Sequence, residues 1–123
     1  MIITKKNGEI EETLEKLKNV LEEKTPLPPK ISYTIIKNKL SLEKSLEAFR
    51  QTRDEIINEH SGGKGHVSEK DDPSAFNAVC EAIATIAKEP VELDITTIKI
   101  SEFGDKDLPL DLIAALDFML TDE

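Results

Sequence analysis

A mostly helical α+β domain is the fold class this sequence predicts, and three observations predict it. Ile35, Leu42, Phe49 and Ile56 fall seven residues apart inside a stretch from Ile31 to His60 that holds no glycine or proline, the pattern of a long amphipathic helix. Just upstream, Ile10, Leu14, Leu17 and Leu21 recur at i, i+4, i+7 and i+11 on a charged background, so a second apolar seam is available to pack on the first. Further on, Val91, Leu93 and Ile95 alternate with Glu92, Asp94 and Thr96, the period of a half-buried strand. The expected architecture is a helical hairpin with a long second helix, then a third helix, a small two-stranded antiparallel ribbon and a C-terminal helix, in the order β-α-α-α-β-α.

The first residues, Met1 to Lys5, are β-prone, and Asn7-Gly8 reads as a turn before the first helix. That helix should run from Gly8 or Glu9 to Glu22 or Glu23, with Glu9, Glu11 and Glu12 in the first turn, where negative charge suits the helix dipole. Its stop is Lys24-Thr25-Pro26-Leu27-Pro28-Pro29, because prolines remove donors and restrict the residues before them. Pro29 then serves as a preset first residue of helix two, which extends to Glu59 and spans roughly 45 Å at 1.5 Å per residue. Helix one is about half as long, so the distal seam, Phe49, Ile56 and Ile57, needs other cover. Helix three or a second copy of the chain would supply it.

Ser61 to Asp72 is a Gly-, Lys- and Asp-containing loop, and Asp72-Pro73 reads as an N-cap followed by a helical first residue. Helix three carries Phe76, Val79, Cys80, Ile83, Ile86 and Ala87 on one face and ends before Pro90. The strand that follows changes phase, since Ile98 and Ile100 fall on even positions, so a bulge is expected near Thr96-Thr97. Its partner should be Ile2-Ile3. The last helix, Leu108 to Leu120, carries Leu112, Ile113, Leu116, Met119 and Leu120. The whole chain, 1–123, reads as one domain: hairpin 8–60, loop 61–72 and a helix-strand-helix unit 73–121.

Composition narrows the function. With 123 residues, 38% hydrophobic, and no tryptophan, one core of Leu, Ile, Val and Ala is expected. The formal charge of −9 disfavours a broad duplex-binding surface, which needs clustered cations to release counterions. No apolar run is long enough to cross a membrane, and the N-terminus lacks the apolar core of a secretory signal, so a cytoplasmic location is expected. The single cysteine, Cys80, forms no intramolecular disulfide and is expected to be buried as a small hydrophobe.

Candidate chemistry is sparse. Gly62-Gly63-Lys64-Gly65 follows a helix and lacks the spacing of a phosphate loop. His60 and His66 bracket that loop beside acidic residues, without zinc or calcium spacing, so no metal and no cofactor is expected. Arg50 and Arg53, the only arginines, sit three residues apart on helix two. Such a pair suits an anion or an acidic partner surface, or simply pairs along the helix, Glu47 with Arg50 and Arg50 with Asp54. No catalytic triad, Cys-His pair or dinucleotide fingerprint is present, and a non-enzymatic role is expected.

Two segments, Leu27-Pro28-Pro29-Lys30-Ile31-Ser32-Tyr33-Thr34-Ile35-Ile36-Lys37-Asn38 and Val91-Glu92-Leu93-Asp94-Ile95, together with the ending Leu116-Asp117-Phe118-Met119-Leu120, resemble a set of small uncharacterised proteins of phages and prophages of Gram-positive bacteria. The resemblance covers most of the length: a short helix, a proline-bearing turn into a long charged helix, a variable loop and a strand-like segment. It implies an origin, and a place in the host cytoplasm during infection or prophage expression. It carries no site residues. The expected function is protein–protein contact, as a virion-morphogenesis accessory factor or an inhibitor of a host system, with the chain acting as a homo-oligomer and Ile35, Leu42, Phe49 and Ile56 forming the seam of the oligomer or of the hairpin. The alternative is a protein that sequesters a nucleotide-type defence signal with Arg50 and Arg53.

Overall fold

The structure is a computed structural model that describes residues 1–23, 26–104 and 108–122. Its elements in order are β1 (Ile2–Lys6), α1 (Asn7–Glu22), α2 (Pro29–Ser61), α3 (Pro73–Ala87), β2 (Pro90–Asp94), β3 (Ile98–Lys99), α4 (Leu110–Leu116) and β4 (Leu120–Thr121), with 3₁₀ turns at Ile100–Phe103 and Asp117–Met119. The fold is mostly helical with a small antiparallel ribbon, as the sequence predicts.

The expected turn at Asn7-Gly8 does not form, because β1 runs straight into α1. Asn7 is buried: its backbone N–H donates to Glu89 O at 3.1 Å and its side-chain amide to Ile86 O at 3.0 Å. The start of α1 is thereby pinned to the end of α3, and Gly8 sits against Ala87. Glu9 accepts from the Lys6 N–H at 3.0 Å, closing one of the free donors at the helix start. Lys24 and Thr25 of the expected stop lie outside the described residues. On the far side of that stop Pro29 opens α2, and Pro28 O accepts from Ile31 N and Ser32 N at 3.0 and 3.1 Å. Gly62 ends α2 in the left-handed region at φ 64°, where a side chain would cost strain.

Helix α2 is the spine. Ile35, Leu42, Leu46 and Phe49 are buried in it, with Ile31 and Asn38. Each apolar side chain contributes about 1.5–3 kcal/mol by leaving water. Ile10, Leu14, Leu17 and Val20 of α1 join the same core, while Leu21 is half-buried. The distal part of α2 packs on α3, so Phe49 is covered within the chain and Ile56 and Ile57 are half-buried. Of the two covers the sequence allows for the distal seam, α3 is present against α2. Asp72 caps α3 as expected, its carboxylate accepting from Ala75 N at 3.1 Å.

Strands β1 and β2 pair antiparallel with Ile3 opposite Leu93 and Lys5 opposite Val91. The expected bulge is a strand break instead. After Asp94 the chain leaves β2, and at Thr96 the buried Asn38 side chain takes over as its partner. Asn38 Oδ1 accepts from Thr96 N at 3.0 Å and Nδ2 donates to Thr96 O at 2.9 Å. The break resets the phase so that Ile95 and Ile98 are both buried. Ile100, expected to turn inward, lies instead in the 3₁₀ turn and is exposed. The C-terminal helix is also shorter than expected, because the chain leaves helical geometry after Leu116 and forms β4, which pairs parallel with β3, Ile98 opposite Leu120. Leu112, Ala115, Leu116 and Met119 are buried, and Ile113 faces outward.

Candidate functional site

The proximal half of α2 carries a second apolar stripe on the side opposite the core. Tyr33, Ile36 and Leu40, spaced i, i+3 and i+7 and so on one helix face, are 68%, 50% and 59% exposed. Large apolar side chains grouped in this way on a surface mark an interaction site more often than isolated ones do. The charges around the stripe are unequal. Lys30, Lys37 and Lys44 recur every seven residues along one border, and all three are exposed. On the other border Lys39 and Glu43 neutralise one another at 3.6 Å. Lys30 lies 3.8 Å from Glu102, whereas Lys37 and Lys44 form no ion pair among the described residues.

The seven-residue apolar spacing of α2 marks only its core-facing seam, and the stripe lies off it. A signal was nevertheless present: from Pro26 through Leu42 there is no acidic residue, although the chain holds 25 Asp and Glu in 123 residues.

Arg50 and Arg53 open onto a different feature, a groove of about 880 Å³ between α1 and α2. Arg53 is committed within the fold. Its guanidinium donates to Glu11 at 2.9 Å and lies 5.3 Å from the centroid of the Phe49 ring, so it ties α2 to α1. Arg50 is exposed and makes no ion pair among the described residues, and the expected pairs with Glu47 and Asp54 do not form. The cations lining the groove, Lys18, Lys39, Arg50 and Arg53, face Glu11, Glu12, Glu15, Glu22 and Glu43. Such a balance offers little net attraction to a polyphosphate.

Cys80 is exposed, contrary to expectation. Its neighbour Val79 takes the buried position, because α3 lies over α2 with a narrow face and Cys80 falls just outside it. His60 and His66 both line a small pocket of about 140 Å³ in the loop with Lys64, Asp71 and Asp72. His60 Nδ1 is 2.9 Å from Ile56 O. Among the described residues no group of three or more His, Cys, Asp or Glu is placed to hold a metal ion, and no helix is long and apolar enough to cross a membrane. Compared with protein-family models, curated proteins and solved structures, the chain matches none.

Proposed function

We propose that this chain is a non-enzymatic phage or prophage protein that acts by protein–protein contact in the host cytoplasm, as an accessory factor in virion assembly or an inhibitor of a host system. The phage origin rests on the sequence resemblance described above. The contact function rests on one observation: the Tyr33, Ile36 and Leu40 stripe is apolar, exposed and unnecessary for the hairpin, whose core uses the opposite face of the same helix. A rigid helix presenting apolar side chains at i, i+3 and i+7 is a familiar protein-docking arrangement.

The test is a photo-crosslinking residue in place of Tyr33 in bacteria expressing the chain, with a control at the exposed Glu81 of α3. The expected result is a discrete protein adduct from position 33 and none from position 81. Failure to obtain any adduct from position 33 overturns the reading. Mass spectrometry of virions and of infected-cell lysate then separates the two roles, since a host-directed inhibitor stays out of the particle.

A further inference from the structure

We propose that the occupant of the α2 stripe is an acidic amphipathic helix of a different protein, an inference that rests on the protein-contact reading and names the partner's chemistry. The argument is charge complementarity along a helical seam. Written as a heptad, Tyr33, Ile36 and Leu40 fall at a, d and a, which places Lys30, Lys37 and Lys44 at e, the flanking position that selects a partner's charge. A partner helix with leucine-like residues at its seam and Glu or Asp on its flank meets all three lysines. From Pro26 to Leu42 the chain is free of acid; the local acids are Glu102, 3.8 Å from Lys30, and Glu43, which follows at d beside Lys44 and is engaged with Lys39, so Lys37 is the least opposed of the three charges. Charge elsewhere in the chain, whose net is −9, is screened beyond the roughly 8 Å Debye length of physiological salt.

The same lysines reject a second copy. An antiparallel two-fold pair sets the e positions against one another, bringing Lys30 of one copy to Lys44 of the other and Lys37 to Lys37. A parallel pair sets g against e, Lys39 against Lys44, where the repulsion is weaker because Glu43 pairs with Lys39. Like charges at these positions oppose association. An anionic bilayer is a poorer fit, because three apolar side chains on a helix fixed to a core bury little area in it. Single-stranded nucleic acid would gain one aromatic platform, Tyr33, and no arginine.

The chain has one tyrosine and no tryptophan, so its intrinsic fluorescence reports directly on the stripe. The probe is a synthetic helix of roughly three heptads with leucine at a and d, glutamate at e and g, and no aromatic residue. Its own glutamates keep it from self-pairing at neutral pH. Titrated into the full chain, it should change Tyr33 emission, with a dissociation constant in a saturable range by calorimetry. The triple variant Lys30→Glu, Lys37→Glu, Lys44→Glu should weaken binding at least tenfold, as should a probe with lysine replacing glutamate. Circular dichroism confirms that the variant, altered only at exposed positions, keeps its helices.

Equal binding of the acidic and basic probes, or binding of neither, overturns the proposal. So does tighter binding of phosphatidylglycerol vesicles or an oligothymidylate, or a self-association that Leu40→Ser abolishes. If the position-33 crosslink captures a protein while the acidic probe fails, only the partner's chemistry is wrong. If both fail, the protein-contact reading falls with it.

Discussion

The two halves of α2 solve the same packing problem and then differ on their outer faces. In the proximal half, Ile31, Ile35, Asn38 and Leu42 are buried against α1 and the strands, and the opposite side displays Tyr33, Ile36 and Leu40. In the distal half, Leu46 and Phe49 are buried, Ile56 and Ile57 are half-buried against α3, and the outer positions Glu47, Gln51, Asp54 and Glu55 are exposed and polar. A helix needs one apolar stripe to join a core. The distal half stops there, as a structural element would, while the proximal half carries a second stripe that folding does not require. That surplus is the observation on which the proposed contact function rests.

Cavity-forming substitutions should sharpen the contrast most. Ile35→Ala, at a fully buried proximal position, should lower unfolding free energy by about 3–4 kcal/mol in urea titration. Ile56→Ala, half-buried in the distal half, should cost about 1 kcal/mol, because much of its side chain already meets water. Equal costs would show that α3 covers the distal seam as completely as α1 covers the proximal one.

Asn38→Ala comes next. It removes both hydrogen bonds to the Thr96 backbone, and a peptide group left without partners at the edge of the core costs about 2–3 kcal/mol. Hydrogen exchange should localise the damage to the break between β2 and β3 and to β4, since Asn38 also contacts Met119 Sδ at 3.3 Å. Uniform loss of protection would instead make Asn38 a part of the global core.

Arg53→Ala should cost about 1 kcal/mol or less. Its pair with Glu11 is partly exposed, with side chains 30% and 42% accessible, and such pairs are weak and screened by salt. The wild-type advantage should shrink in high salt while the part due to stacking on Phe49 remains. The smallest effect on stability belongs to Leu40→Ser, within about 0.5 kcal/mol, yet it should remove binding of the acidic helical probe. A large stability loss there would mean that the stripe belongs to the core, and the contrast between the two halves would collapse.

Sequence by itself determined the helical hairpin, the opening of α2 at Pro29, the cap at Asp72 and the pairing of Ile2-Ile3 with the strand after α3, though not its register. These follow from local rules: apolar period, proline geometry, a carboxylate before a helix, and alternation along a strand. Tertiary structure alone decided the rest. Asn7 reads as a turn residue and Asn38 as a polar residue inside a helical pattern, and each becomes buried because a backbone distant in sequence arrives to satisfy its amide. Period reports which face is apolar and never which neighbour covers it. Cys80 therefore falls outside the α3 contact, while Phe49 finds cover within the chain. For the same reason the Tyr33, Ile36 and Leu40 stripe could be recognised as free only once α1, the strands and α3 had taken their places around the opposite face of α2.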